Sequence, residues 1–98
     1  EIAYEWARIP HFYYNYYVFQ YATGFSAATS FAEAILSEGR PAVDRFIGFL
    51  KAGSSDWPID VLKRAGVDMT QPETIVRALD AFERTLDEME ALIGKSDA

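Results

Sequence analysis

The sequence predicts an all-α fold in which a long, buried helix is covered by two or three shorter helices. No stretch shows the apolar–polar alternation of a strand, and apolar residues recur every three or four positions towards the end of the chain. Residues 8–24 are crowded with aromatic side chains and carry no charge from His11 to Ala22, counting His11 as neutral. A surface helix has one charged face. We therefore expect this aromatic segment to lie inside a larger assembly or against a cavity.

Proline and glycine set the bounds of most of the predicted helices, which cover residues 10–37, 41–52, 58–65 and 71–93. Pro10, Pro41 and Pro58 each suit a first helical turn, where the missing N–H leaves no intrahelical bond unmade. Gly39 and Gly53 suit the position just after a helix, because glycine readily adopts the backbone conformation that ends one.

The last predicted helix is the most regular element of the chain. Thr70 and Glu73 stand three residues apart, the spacing of a capping box, in which each side chain binds the other residue's backbone N–H. The residues that follow predict an ordinary amphipathic surface helix. Its apolar face comprises Ile75, Leu79, Phe82, Leu86, Met89 and Ile93.

Composition narrows the possible functions. Ninety-eight residues make one domain at most, and a formal net charge of −6 argues against nucleic acid as a partner. The 98 residues contain no cysteine, no basic-then-apolar pattern typical of a signal peptide and no uninterrupted apolar stretch long enough to span a membrane. We expect a cytoplasmic protein without a membrane partner. Because the chain begins at Glu1 rather than at a methionine, we also expect a piece of a longer protein.

No metal site or catalytic nucleophile can be assembled from these residues. The chain has a single histidine and lacks the His-Glu-x-x-His motif, while Glu33 and Glu38 are spaced five residues apart and do not share a helix face. Gly-x-Ser-x-Gly and glycine-rich phosphate loops are absent as well. We therefore expect no metal ligand in this chain.

The remaining polar groups lie in the aromatic segment. His11, Tyr14, Tyr17 and Tyr21 follow one another at three, three and four residues, which would place all four on one face of a helix. A row of such donors can hold a peptide carbonyl or an oxyanion as it forms. The alternative is that these residues are core aromatics, each hydroxyl bound to a backbone carbonyl.

Four blocks of the sequence resemble the end of the catalytic domain of oligoendopeptidase F, a zinc metallopeptidase of the thimet oligopeptidase (M3) family. The blocks are residues 8–24, 49–55, 57–63 and 65–70, and they stand in order over nearly the whole chain. The resemblance implies that residues 1–98 are the C-terminal part of a larger helical domain, which hydrolyses short, unstructured peptides in a deep channel.

The resemblance also implies roles for three residues. His11 and Tyr14 would contact the substrate and stabilise the tetrahedral oxyanion, and Tyr17 would contact the substrate. The zinc of the parent enzyme would be held by residues outside this chain, so the chain alone should be inactive. Its partners would be the remainder of the peptidase and short peptides.

A non-enzymatic module is the rival interpretation. An exposed aromatic helix could bind a partner helix or a second copy of the chain. An upstream His-Glu-x-x-His motif in the same gene would favour the peptidase, and a start codon directly before Glu1 would favour the module.

Overall fold

The computed structural model describes residues 2–96 and is helical throughout its regular parts. Four α-helices follow two short 3₁₀ helices: Ile2–Arg8, Pro10–Tyr13, α1 (Phe19–Glu38), α2 (Arg40–Ala52), α3 (Pro58–Arg64) and α4 (Glu73–Ser96). No strand occurs within residues 2–96, which confirms the all-α prediction. Glu1, on which one expectation rested, lies outside the described residues.

The long first helix begins later than predicted, at Phe19 rather than at Pro10. Residues 10–13 form a 3₁₀ helix instead, and the segment before α1 is held by bonds between residues three apart, such as the one from the Tyr17 N–H to the Tyr14 carbonyl. Aromatic residues and asparagine have modest helix propensity. Tyr16 has a φ of 57°, and this left-handed conformation prevents a right-handed helix from continuing through the segment.

A single glycine joins α1 to α2. The Gly39 N–H donates to the Ile35 carbonyl, and the Gly39 carbonyl in turn accepts from Ala42 and Val43 in the first turn of α2. Its φ of 70° lies in the left-handed region that favours glycine. The predicted stop at Gly39 and the predicted ends of α2 and α3 agree with the structure to within one residue.

The predicted capping box before α4 does not form. Thr70 instead donates both its backbone N–H and its hydroxyl to the Asp68 carboxylate, at 2.9 and 2.6 Å. The backbone carbonyl of Pro72 then accepts from Ile75 and Val76, and α4 begins at Glu73. The Asp68 side chain binds the N–H two residues ahead of it. Such a local hydrogen bond competes with a capping box, and at Thr70 the local bond forms instead.

The core is small and lies where α1, α2 and α3 meet. Phe31 of α1 is 8% exposed, and its ring lies 5.1 Å from that of Phe46 and 5.3 Å from that of Phe49, both in α2. Ala65 and Val67, which follow α3, complete the cluster. On the other side α1 packs against α4, where Arg84 donates to the Glu33 carboxylate.

Much of α1 is uncovered within this chain. Ser26, Ala27 and Phe31 are its buried residues, and the aromatic rings of Phe19, Tyr21 and Phe25 are exposed. The other helices within residues 2–96 therefore do not cover α1 as fully as predicted. No helix in this range combines the length and the apolar character needed to cross a membrane.

Candidate functional site

The four site residues predicted from spacing lie together, although an α-helix does not align them. The His11 ring stacks on Tyr17, with centroids 5.5 Å apart and planes inclined by 25°. Tyr14 lies edge-on to both rings, at 6.4 Å from His11 and 6.0 Å from Tyr17. Tyr21, in the first turn of α1, extends the group with its ring 6.4 Å from Tyr17. We call these four residues the aromatic cluster.

The cluster is held at the junction of a 3₁₀ helix, a turn and an α-helix. His11 belongs to the 3₁₀ helix Pro10–Tyr13, Tyr14 ends it, and Tyr17 lies in the turn before α1. Edge-on and offset-stacked rings are the favoured arrangements of aromatic pairs, because the positive ring edge meets the negative ring face. The contacts between the rings therefore stabilise a segment that lacks regular helical bonds.

The polar groups of the cluster are accessible. Tyr14 is 60% exposed and Tyr17 39%, and His11 is also exposed. Within residues 2–96, no protein group accepts a hydrogen bond from the Tyr14 or Tyr17 hydroxyl. Neither hydroxyl is bound to a backbone carbonyl within the described part of the chain. As far as those residues go, both phenols can donate to another group.

An apolar cleft adjoins the cluster. Its volume is about 440 Å³, and it is lined by Ile9, His11, Phe12, Val18 and Tyr21. Two cluster residues thus form part of its wall. A peptide segment bound in this cleft would lie beside the exposed donors.

Two other tyrosines of the segment have features that spacing did not predict. The Tyr13 hydroxyl donates to the Ala7 carbonyl at 2.8 Å, which links the two 3₁₀ helices. Tyr16 is, within residues 2–96, the one non-glycine residue with positive φ. On a helix these residues would simply occupy neighbouring faces. No pattern in the sequence marks a tyrosine for a left-handed turn, since asparagine, aspartate and glycine are the usual residues there.

The residues described here do not fit a zinc ion. No three histidine, cysteine, aspartate or glutamate side chains within residues 2–96 come close enough together to hold a metal. A zinc site needs at least three such ligands. The residues between 2 and 96 thus offer no set of side chains that matches this requirement.

The shifted carboxyl groups lie in connectors remote in sequence from the cluster. Hydrogen bonds from Thr70, followed by one from Lys63, lower the pKa of Asp68 to about 2. The Arg64 side chain, and then the Trp57 N–H, lower the pKa of Asp56. Hydrogen bonds and positive charge both favour an ionised carboxylate. Through Arg64 and Lys63, these two carboxylates connect the end of α3 to the turns before and after it.

Comparison with known proteins identifies the family. The sequence model of Peptidase family M3 matches residues 2–81, which is most of the chain. The chain belongs to Peptidase family M3. Among its M3 relatives, the oligopeptidase PepF of Bacillus subtilis (strain 168) is 68% identical over 95 residues, covering 97% of this chain and 14% of that protein. The plasmid oligoendopeptidase F of Lactococcus lactis subsp. cremoris is 52% identical over 95 residues, covering 97% and 16%.

The fold agrees with a solved structure of an M3 relative. The crystal structure of oligoendopeptidase-F from Enterococcus faecium superposes with a TM-score of 0.80 at 55% sequence identity, over 96% of this chain and 18% of that one. The chain thus spans less than one fifth of the length of each of these relatives. The resemblance to the M3 family proposed from four sequence blocks is confirmed.

Proposed function

We propose that this chain is part of a zinc-dependent oligoendopeptidase that hydrolyses short, unstructured peptides. In that enzyme it supplies one wall of the substrate channel. His11 and Tyr14 donate hydrogen bonds to the oxyanion that forms at the scissile carbonyl, and Tyr17 contacts the substrate. Membership of Peptidase family M3 and the names of the relatives support the reaction class.

The observation that carries the proposed roles is the exposed aromatic cluster. Beside an apolar cleft it brings together an imidazole and two phenols that have no side-chain hydrogen-bond partner in the described part of the chain. An oxyanion accepts stronger hydrogen bonds than a neutral carbonyl, so donors fixed before the reaction stabilise the transition state more than the bound substrate. Because the stacked rings already hold the donors in place, little further conformational entropy is lost when the donors bind the substrate.

The proposal assigns the zinc ligands to the remainder of the enzyme. The residues of this chain do not fit a metal ion, as described above. The part of His11, Tyr14 and Tyr17 in catalysis is to bind the peptide, and His11 and Tyr14 also donate hydrogen bonds to the oxyanion. The chain alone is consequently proposed to be inactive.

The extent of exposed surface supports the assignment to a larger molecule. The chain exposes 8071 Å², whereas a self-contained protein of this mass exposes about 5,700 Å². Its radius of gyration is 17.4 Å, against about 13 Å for a compact domain of this length. The excess surface is comparable in size to a large permanent interface. We propose that the rest of the peptidase covers it, and that the isolated chain self-associates instead.

A chimera tests the proposed function directly. Residues 1–98 of this chain replace the matching segment of the Bacillus subtilis relative, which is 68% identical over that stretch. We expect the chimera to hydrolyse a short quenched fluorescent peptide, and the 98-residue chain alone to release no fluorescence. Activity of the chain alone would contradict the proposed division of labour. A folded, zinc-loaded chimera without activity would contradict the proposed function of the segment.

A further inference from the structure

We propose that Tyr13 and Tyr16 are positioning residues that fix the geometry of His11, Tyr14 and Tyr17. Tyr13 would act through its hydroxyl and Tyr16 through its backbone. The predicted changes in kcat rest on the function proposed above, whereas the predicted change in the stacking of Tyr17 on His11 does not. Neither residue belongs to the aromatic cluster itself.

Tyr13 lies between two cluster residues and is anchored outside the cluster. Its hydroxyl donates to the Ala7 carbonyl at 2.8 Å, across six residues. This bond closes the turn at Ile9, which adopts an extended conformation between the two 3₁₀ helices. Because His11 and Tyr14 flank Tyr13 within one 3₁₀ turn and its cap, fixing the Tyr13 side chain restricts the backbone from which both project.

Tyr16 directs Tyr17 back onto His11. Its φ of 57° lies in the left-handed region, which side chains with a Cβ seldom adopt. The Tyr16 side chain is 89% exposed within residues 2–96, so no contact of its ring inside this chain explains the conformation. Directly after this turn, Tyr17 stacks on His11 at 5.5 Å. An unusual backbone conformation that persists beside a group of donors points to a role in arranging them.

The role of Tyr13 predicts a loss of turnover in the chimera when the hydroxyl alone is removed. Tyr13→Phe should lower kcat about threefold to tenfold, the size expected for one hydrogen bond, and leave KM within about twofold. Tyr4→Phe is the matched control, since Tyr4 lies in the first 3₁₀ helix and its hydroxyl has no partner within residues 2–96. We expect the control to turn over at the parent rate. Equal rates for Tyr13→Phe and the control would overturn the role of Tyr13.

The role of Tyr16 is tested by two substitutions that differ in backbone preference. Asparagine tolerates the left-handed region, whereas valine, being β-branched, does not. Tyr16→Asn should retain kcat within about twofold, and Tyr16→Val should lower it about tenfold or more, since small displacements of catalytic groups are costly. Equal losses in both variants would assign the role to the side chain and overturn the proposal. So would full activity in both.

A double substitution separates positioning from a general structural effect. If Tyr13 acts through the cluster, adding Tyr13→Phe to Tyr14→Phe should lower kcat by a smaller factor than Tyr13→Phe does alone, because one of the donors that it positions is already gone. A full additional loss of threefold to tenfold would show that Tyr13 acts elsewhere. Both Tyr13→Phe and the Tyr4→Phe control should remain folded, with midpoints of thermal unfolding within about 4 °C of each other, since one hydrogen bond contributes little to the stability of a protein of this size.

Crystal structures of the Tyr16→Asn and Tyr16→Val chimeras decide the geometry without reference to activity. We expect the asparagine variant to keep the Tyr17 ring stacked on His11, and the valine variant to lose that stacking. Retained stacking in the valine variant overturns the role of Tyr16, whatever the kinetics. An unaltered rate for Tyr14→Phe, by contrast, would contradict the proposed function and leave the positioning of the rings to be decided by these structures.

Discussion

At the residue scale, Tyr14 provides the sharpest test of the proposed chemistry. It is exposed, lies edge-on to His11 and Tyr17, and has a hydroxyl without a protein partner within residues 2–96. In the chimera, Tyr14→Phe should lower kcat about 10²–10³-fold, as for the loss of one oxyanion donor, with KM little changed. Steady-state kinetics measure both constants. Zinc content, measured on the same sample, should be unchanged, and wild-type turnover would remove Tyr14 from the mechanism.

Phe31 is the residue on which the small core depends. It contacts both Phe46 and Phe49 and is 8% exposed, whereas Leu36 on the same helix is 86% exposed. Phe31→Ala should lower the free energy of unfolding of the 98-residue chain by about 3–5 kcal/mol, because it removes buried apolar area and leaves a cavity. Leu36→Ala should change it by no more than about 0.5 kcal/mol. Urea unfolding followed by circular dichroism compares the two, and equal effects would contradict the assigned core.

At the element scale, the turn between α3 and α4 makes a prediction about pH. Hydrogen bonds from Thr70 and Lys63 lower the pKa of Asp68 to about 2, from 3.8 in the absence of these contacts. The folded pKa lies below the unfolded one, so the contribution of Asp68 to stability is present above about pH 4 and is lost as the pH falls towards 2. Carbon-13 NMR of the side-chain carboxyl should give a pKa near 2 in the 98-residue chain.

Thr70 provides the control for this titration. Thr70→Val removes the hydroxyl bond, which is the largest cause of the shift, but retains the backbone N–H. The pKa of Asp68 should then rise part of the way towards 3.8. A wild-type pKa already near 3.8, or one that does not respond to this substitution, would show that the turn is not formed as described.

At the scale of the whole molecule, the proposed function assigns the metal ligands to residues outside the range 2–96. Residues 2–96 contain no group of ligands for a metal ion. We therefore expect the isolated chain to bind Zn²⁺ no more tightly than about 1 mM in isothermal titration, since a lone histidine is a weak site. His11→Gln should abolish any residual binding. A stoichiometric micromolar site in the chain would contradict this assignment of ligands.

Local chemistry explains why the sequence determined so many of the helix ends. Pro41 and Gly39 act through their own backbone properties, which do not depend on distant contacts, and the start of α2 and the end of α1 follow from them. The apolar spacing of residues 75–93 is equally local and predicts most of α4. For the same reason the sequence predicts the all-α class. The roles of His11, Tyr14 and Tyr17, in contrast, came from the family resemblance and stay predictions.

Side-chain hydrogen bonds and one backbone conformation that the sequence pattern does not predict decided the rest. The segment before Phe19 looked helical because Pro10 suits a first turn, but the Tyr13 bond to Ala7 and the left-handed backbone of Tyr16 direct it otherwise. Thr70 could have capped α4, yet its hydrogen bonds to Asp68 compete with that role. The sequence by itself thus determined the helical class and most helix ends, and its resemblance to the M3 family named the candidate site residues. Only the tertiary structure decided how those rings meet, because ring stacking and side-chain bonds to remote carbonyls outweigh modest helix propensity.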